Sequence, residues 1–330
     1  MEPAKKPDAM EWARQKAAEA QAKLDAAAKP PAKRAKKAEE PEMHLPQWPI
    51  GARATPNALL RCALFGINTE RQFYKRRTLV ASLDNYEVRM KGEGFNQTDL
   101  DVFDELLQKA MPHPLGKKVE FSAYSILSQQ QKDVGNSQYE ELKEQIARLA
   151  GGLVDIKDKA KGTTFMATLV SKAYIDETTD RWIVVFDKDI LKLFDAGYTL
   201  TGHEQRKALG KSNLAKWLQM FYSTHKTPYA YKVETLRDLC GSSSDDRLSN
   251  FRSRLRAALE KLKAVGVITD WNIDKATDLV TIEQPLAPSQ AKQKDAETRI
   301  KRIFGAPKKT PKKRGRPPKN TRHNESTDTA

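Results

Sequence analysis

VETLRDLCGSSSDDRLSNFRSRLRAALEKLKAVGVITDWNIDKATDLVTIE, residues 233–283, reads as a short helix, a polar turn, a longer helix and a β-hairpin. At about 100° per residue, Leu248, Phe251, Leu255, Leu259 and Leu262 fall on one side of a helix over 246–264. Facing away from them are Ser249, Asn250, Ser253 and Ala257, small groups that allow close approach. Arg247 and Arg254 flank this ridge on one side, and Arg252 and Arg256 on the other. A major groove roughly 12 Å wide admits such a helix. The ridge can meet base edges while the arginines reach guanine N7 and O6 or phosphates. Gly266 ends the helix, and strands at 267–271 and 279–282 pair around Asp274-Lys275. Lys232, ahead of the short helix, and Lys275, in the hairpin turn, complete the candidate contacts. Asp245-Asp246 stands at the helix start, where carboxylates cap free N–H groups but repel a nearby phosphate. The plain alternative is a solvated, arginine-rich helix; the short helix before it and the hairpin after it favour a reader.

Upstream, 204–225 reads as one long helix with Leu209, Leu214, Trp217, Leu218 and Phe221 inward, and Pro228-Tyr229 turns the chain into Tyr231-Lys232. Helix, strand, two close helices and a hairpin is the order of a winged helix-turn-helix module. That order also occurs earlier. Pro56-Asn57 opens a short helix through Phe65, and strands at 79–83 and 86–90 flank Asp84-Asn85. Leu100, Phe103, Leu106, Leu107 and Ala110 repeat at helical spacing up to Pro112. A strand at 119–121, a short helix from Ser122 and a helix at 137–150 follow, then strands at 153–156, 165–175 and 182–186. The expected fold class is α+β: two tandem winged-helix domains, 45–196 and 197–288, flanked by disordered tails at 1–44 and 289–330. Glu140, Glu141 and Glu144 dominate the polar face of 137–150, which suits a phosphate backbone poorly. The first domain is therefore expected to serve as a dimer interface or accessory contact. Its alternating strands over 164–175 either pair edge to edge with a second copy or lie covered.

Charge is unevenly spread over the 330 residues. Of a net +15, residues 289–330 hold +9 and residues 1–42 only +2, so the basic character sits mostly in the C-terminal segment. There, Arg314-Gly315-Arg316-Pro317, inside a lysine-rich run, resembles an AT-hook. A narrow AT-rich minor groove concentrates negative potential, and an extended Arg-Gly-Arg can lie along its floor. A generic basic tail, or a nuclear import signal, gives the same composition. Cys62 and Cys240 are far apart and sit among apolar residues, the pattern of buried thiols rather than of zinc or disulfides. The N-terminus lacks the apolar core of a signal peptide and no apolar run reaches membrane length, so a cytoplasmic protein with no membrane contact is expected.

Residues 212–243, SNLAKWLQMFYSTHKTPYAYKVETLRDLCGSS, closely resemble the second winged helix of the TrfA family of plasmid replication initiators. The most specific part is Tyr222-Ser223-Thr224-His225, Pro228-Tyr229, Lys232, Glu234-Thr235-Leu236-Arg237 and Leu239-Cys240-Gly241-Ser242. TPNALLRCALF, 55–65, resembles the opening of the family's first winged helix. The resemblance implies a protein that binds direct repeats (iterons) in double-stranded DNA at a plasmid origin. It also implies melting of an adjacent AT-rich region, recruitment of the host initiator and replicative helicase, and a dimer–monomer equilibrium, with dimers inactive. The Gln-Leu-x-Leu-Phe clamp-binding segment of the family prototype is replaced here by Met43-His44-Leu45-Pro46-Gln47-Trp48, which does not match.

No enzyme is expected. The five histidines are scattered, and Lys161-Gly162-Thr163 has its lysine before the glycine, unlike a phosphate-binding loop. No catalytic residue, metal or cofactor is expected. Beside the initiator stand two other readings, a winged-helix repressor of its own operon and a nucleoid-coating protein. A shaped helix at 246–264 argues against the coating protein, which needs none.

Overall fold

The structure is a computed structural model that describes residues 9–27, 41–130, 135–243 and 246–285. Helix α1 (Ala9–Ala27) is Ala- and Lys-rich, and its side chains from Met10 to Lys23 are exposed. The folded body begins where apolar residues do. Leu45 and Trp48 are buried, and Trp48 stacks on Phe194 with 6.2 Å between ring centroids. Strand β1 (Ala52–Pro56) leads into α2 (Asn57–Leu60), a single turn rather than the longer helix expected through Phe65. The chain instead breaks at Arg61 and forms β2 (Phe65–Gly66), so that Leu64 enters the core from a turn and Phe65 from a short strand.

β3 (Phe73–Val80), β4 (Tyr86–Glu93) and β5 (Phe95–Asn96) precede α3 (Gln97–Ala110). The Asn96 side chain accepts from the N–H groups of Thr98 and Asp99, while the Asp99 carboxylate accepts from the Asn96 N–H. This reciprocal capping box fixes the start of α3. Leu100, Phe103, Leu106, Leu107 and Ala110 are all buried, as their spacing predicted. β6 (Lys118–Phe121), α4 (Ala123–Leu127, capped by Ser122) and α5 (Asn136–Gly151) follow as read from the sequence.

The strand expected over 165–175 is two strands in two sheets. β7 (Leu153–Asp158) pairs with β8 (Thr163–Thr168) in the order β3-β4-β7-β8, whereas β9 (Lys172–Asp176) and β10 (Arg181–Val185) form β6-β10-β9. The alternation breaks because Leu169 and Val170 are consecutive and both buried. At that point the Val170 N–H goes to Leu149 and the Ser171 N–H to Val185, so the chain crosses between sheets.

After α6 (Leu191–Asp195) the chain does not leave the first core. β11 (Tyr198–Gly202) pairs antiparallel with β1, placing Arg53 opposite Thr201. The single helix expected over 204–225 is two, α7 (His203–Ala208) and α8 (Asn213–Ser223). Gly210 takes φ +58 between them, a left-handed conformation that stops a helix and favours glycine. β12 (Tyr231–Lys232), α9 (Val233–Leu239), α10 (Leu248–Ala264), β13 (Asp270–Ile273) and β14 (Leu279–Glu283) are the last of the described elements, with sheet order β12-β14-β13.

Two cores result, and each borrows from the other's segment. Ile67 packs in the core of α8, α9 and α10, and Met220 of α8 packs in the core of α3 and α5. Polar contacts seal the seam. Asp101 of α3 accepts from Arg206 Nε at 2.5 Å and from Lys216 Nζ at 2.7 Å. Burial alone would raise the Asp101 carboxyl, but these two cations hold it below its ordinary range. Arg61 donates to Thr224, Trp217 Nε1 to the Cys62 carbonyl and Asn68 to the Gly241 carbonyl. Gly241 has φ +67, and a Cβ there would stand 3.3 Å from that of Ala63.

The same seam gives the molecule a pH response. Asp104 is 3% exposed, accepts from Thr55 at 2.7 Å, and is pushed by burial from 3.8 up to about 7. Because its folded value is the higher one, its contribution to stability is complete below about 4 and is lost as pH rises to about 7. His203 acts oppositely: burial lowers it from 6.5 to about 4, so its contribution is lost as pH falls through that window. Asp104→Asn should remove only the first effect. Urea unfolding at pH 5 and pH 8 should show the variant gaining on its parent as pH rises. An identical pH response in both proteins would rule the assignment out.

Candidate nucleic-acid interface

α10 owes its position to its apolar stripe. Phe251, Leu255, Ala258, Leu259 and Leu262 are buried in the core that holds Trp217, Phe221 and Leu236. Leu248, at the first turn, is half-buried. The opposite face carries Ser249, Asn250, Ser253 and Ala257, all exposed, as the sequence placed them.

The four arginines separate into two kinds. Arg247 and Arg256 are exposed and have no ion-pair partner among the described residues. Arg252 is half-buried and forked onto Asp278, Nε at 2.9 Å and Nη2 at 2.8 Å. This fork holds the Asp278 carboxyl below its ordinary value. Arg254 is exposed, lies over the Phe251 ring at 5.7 Å, and contacts Asp246 and the Ser242 hydroxyl. The expected capping by Asp246 does not occur. Arg247 is the N-cap residue and makes no side-chain cap bond, while the Asp246 carboxylate is drawn to Arg254 and Ser242. Asp245 lies outside the described residues.

The β13–β14 hairpin stands beside α10 and is tied to it by side chains. Besides Arg252–Asp278, Lys263 reaches Asp270 at 2.8 Å and Trp271 Nε1 reaches Glu260 at 3.2 Å. Lys275, in the hairpin turn, and Lys232, on β12, are exposed. The side chain of Asp274 accepts from the N–H groups of Ala276 and Thr277, which shapes that turn. The sequence reading missed Lys211 and Lys261. Both line a groove of about 410 Å³ along α10 with Arg254 and Ala257. Lys261 was legible, since it stands seven residues after Arg254 on one helix face. Lys211 was not, because it arrives from the α7–α8 turn.

On α5, Glu140, Glu141 and Glu144 are exposed, and Lys143 pairs with Glu177. This face stays acidic. Arg314, Gly315, Arg316 and Pro317 lie outside the described residues. Among the described residues no group of His, Cys, Asp and Glu could hold a metal ion, and no helix is long and apolar enough to cross a membrane. The arrangement around α10 offers a neutral, small-residue ridge bordered by cations, the chemistry of a duplex surface read from one groove.

The residues behind the sequence resemblance lie mainly at the seam. Tyr222 is fully buried, Thr224 receives Arg61, His225 bonds Tyr231 at 3.1 Å, and Gly241 meets Ala63.

A family model described as "TrfA protein" matches residues 5–283. The plasmid replication initiator protein TrfA of Escherichia coli is 25% identical over 228 residues, which span 67% of this chain and 59% of that protein's length. A crystal structure of domains 2 and 3 of RctB superposes with a TM-score of 0.50 at 10% identity, covering 71% of this chain and 99% of that one. The Pi initiator protein in complex with iteron DNA gives a TM-score of 0.43 at 12% identity, over 56% of this chain and 92% of its own.

Proposed function

The chain belongs to the TrfA family, and from that premise we propose that it is a plasmid replication initiator that binds iteron repeats in double-stranded origin DNA. In this reading the unit around α10 is a winged helix whose hairpin is the wing, and a second winged helix is built on α3, α4 and α5. α10 enters the major groove, while Arg247, Arg256, Lys232 and Lys275 meet phosphates and flanking bases. Binding promotes opening of an AT-rich region and recruitment of the host initiator and replicative helicase. The protein acts on plasmid DNA in the bacterial cytoplasm, and it works without a catalytic centre. The observation that carries the proposal is the exposed Ser249–Asn250–Ser253–Ala257 ridge, flanked by Arg247 and Arg256, which have no ion-pair partner among the described residues. The test is genetic. The gene with its neighbouring DNA should keep a plasmid lacking its own replication functions replicating, and failure to do so in a permissive host would refute the proposal.

Asn250 is the ridge residue suited to read a base, because its amide can pair bidentately with adenine. Asn250→Ala is expected to cost about 1–3 kcal/mol on the cognate repeat and much less on random duplex. Equal losses on both would make Asn250 a backbone contact.

The C-terminal segment should supply affinity rather than choice. Each phosphate neutralised adds about 0.9 to the slope of log affinity against log salt. Deleting 289–330, which removes a net +9, should flatten that slope by several units and leave the ranking of cognate over mutated repeats intact. Arg314→Ala with Arg316→Ala should abolish preference for AT-rich duplex, whereas Lys308→Ala with Lys309→Ala should not. Equal effects of the two double variants would reduce the hook to a polycation.

A further inference from the structure

We propose that Asp278 is a positioning residue for DNA reading: through Arg252 it fixes the wing against α10 and thereby sets which sequences the helix accepts. The inference rests on the assignment of α10 as the reading helix.

Asp278 joins three elements. Its N–H donates to the Asp274 carbonyl at 2.9 Å, closing the wing turn. Its own carbonyl accepts from the N–H of Val233 at 3.0 Å, the first residue of α9. Its carboxylate takes both nitrogens of the Arg252 fork from α10. It does so at φ +56, one of two non-glycine residues among those described with a positive φ. Aspartate and asparagine tolerate that region better than other side chains.

The other ties between wing and helix are weaker in kind. Lys263 and Asp270 have side chains 44% and 62% exposed, so solvent screens their pair. Arg252 and Asp278 are each 29% exposed. A bidentate fork also fixes direction, which a point contact from lysine does not. Both wing-side cations depend on this junction: Lys275 is three residues before Asp278, and Lys232 pairs in register with Leu279, the residue after it. Arg252 directly precedes Ser253 of the ridge. A carboxylate alone in this place would repel phosphate, and an arginine alone would bind any phosphate. Paired, they contribute geometry and little net charge, which favours discrimination over affinity.

The test uses the full chain and two probes: a duplex selected from a random pool for tight binding to the parent, and a shuffled duplex of equal composition. Asp278→Asn keeps the backbone preference and removes the charge. It should lower the selected-over-shuffled affinity ratio about tenfold, within the range of one bidentate contact. It should also steepen the salt slope by about 0.9, as the released Arg252 finds a phosphate. Arg252→Gln should lower the ratio similarly without steepening the slope. Should Asp278→Asn fail to fold, Asp278→Gly, which removes the carboxylate and accepts the positive φ, takes its place. Ratios within about twofold of the parent in both variants would overturn the proposal. So would an Arg252→Gln loss with Asp278→Asn unaffected, since Arg252 would then be a direct base contact. A parent chain that enriches no sequence from the pool would instead sink the assignment of α10 itself.

Discussion

Asp101→Asn is expected to destabilise the protein by about 3–5 kcal/mol, the range for breaking a buried ion pair from one side. The side chain is nearly isosteric, so packing changes little. What is lost is the charge facing Arg206 and Lys216, whose side chains are 5% and 12% exposed. Two cations would be left close together and away from water, with only one amide oxygen to share. Arg206 cannot shed its proton to escape. It also donates to Gln97 and to the Lys216 carbonyl, so moving it would break the seam at further points. Equilibrium urea unfolding, with the slope against denaturant checked for constancy, reads the effect. Asp270→Asn provides the contrast, since it releases only the exposed Lys263, a pair that solvent screens, and should leave the unfolding midpoint nearly unchanged. If the two variants lose the same amount, the Asp101 cluster is not what joins the two cores.

The second large effect concerns DNA. Ser253→Glu is expected to weaken binding to cognate and random duplex alike by more than about a hundredfold, because like charges placed together across an interface cost several kcal/mol. Ser253 is exposed at the centre of the ridge, so in the proposed pose its side chain would point into the groove. Glutamate is also the better helix former, and the folded state should not suffer. Gel-shift titration gives the affinity, and thermal unfolding verifies that the protein remains intact. Ser253→Thr, which adds one methyl group and no charge, should lose far less. A loss below about threefold for Ser253→Glu would place the DNA on another face of the molecule.

Helices whose cause is local were legible in the amino-acid order alone. The 3.6-residue spacing of Phe251, Leu255, Leu259 and Leu262 fixes both the existence of α10 and its outward face, since a helix must bury its apolar stripe. The same holds for α3 and α5, for the Ser122 cap, and for the ridge residues that follow from the stripe. Tertiary structure decided what depends on partners distant in the chain. Leu169 and Val170 are compatible with one strand or two, and only the competing pull of β7 and β10 divides them. Gly210 breaks the expected long helix because α7 must meet α3 while α8 serves both cores, a demand invisible in local propensity. The fates of the arginines were the least legible. Nothing in local composition separates Arg252 and Arg254 from Arg247 and Arg256, yet each of the first pair is bound by an aspartate. Asp278 lies twenty-six residues from Arg252, and Asp246 eight from Arg254. Long, flexible charged side chains carry no periodic signature of their partners, so which cations stay free on the surface is settled only when the chain has folded.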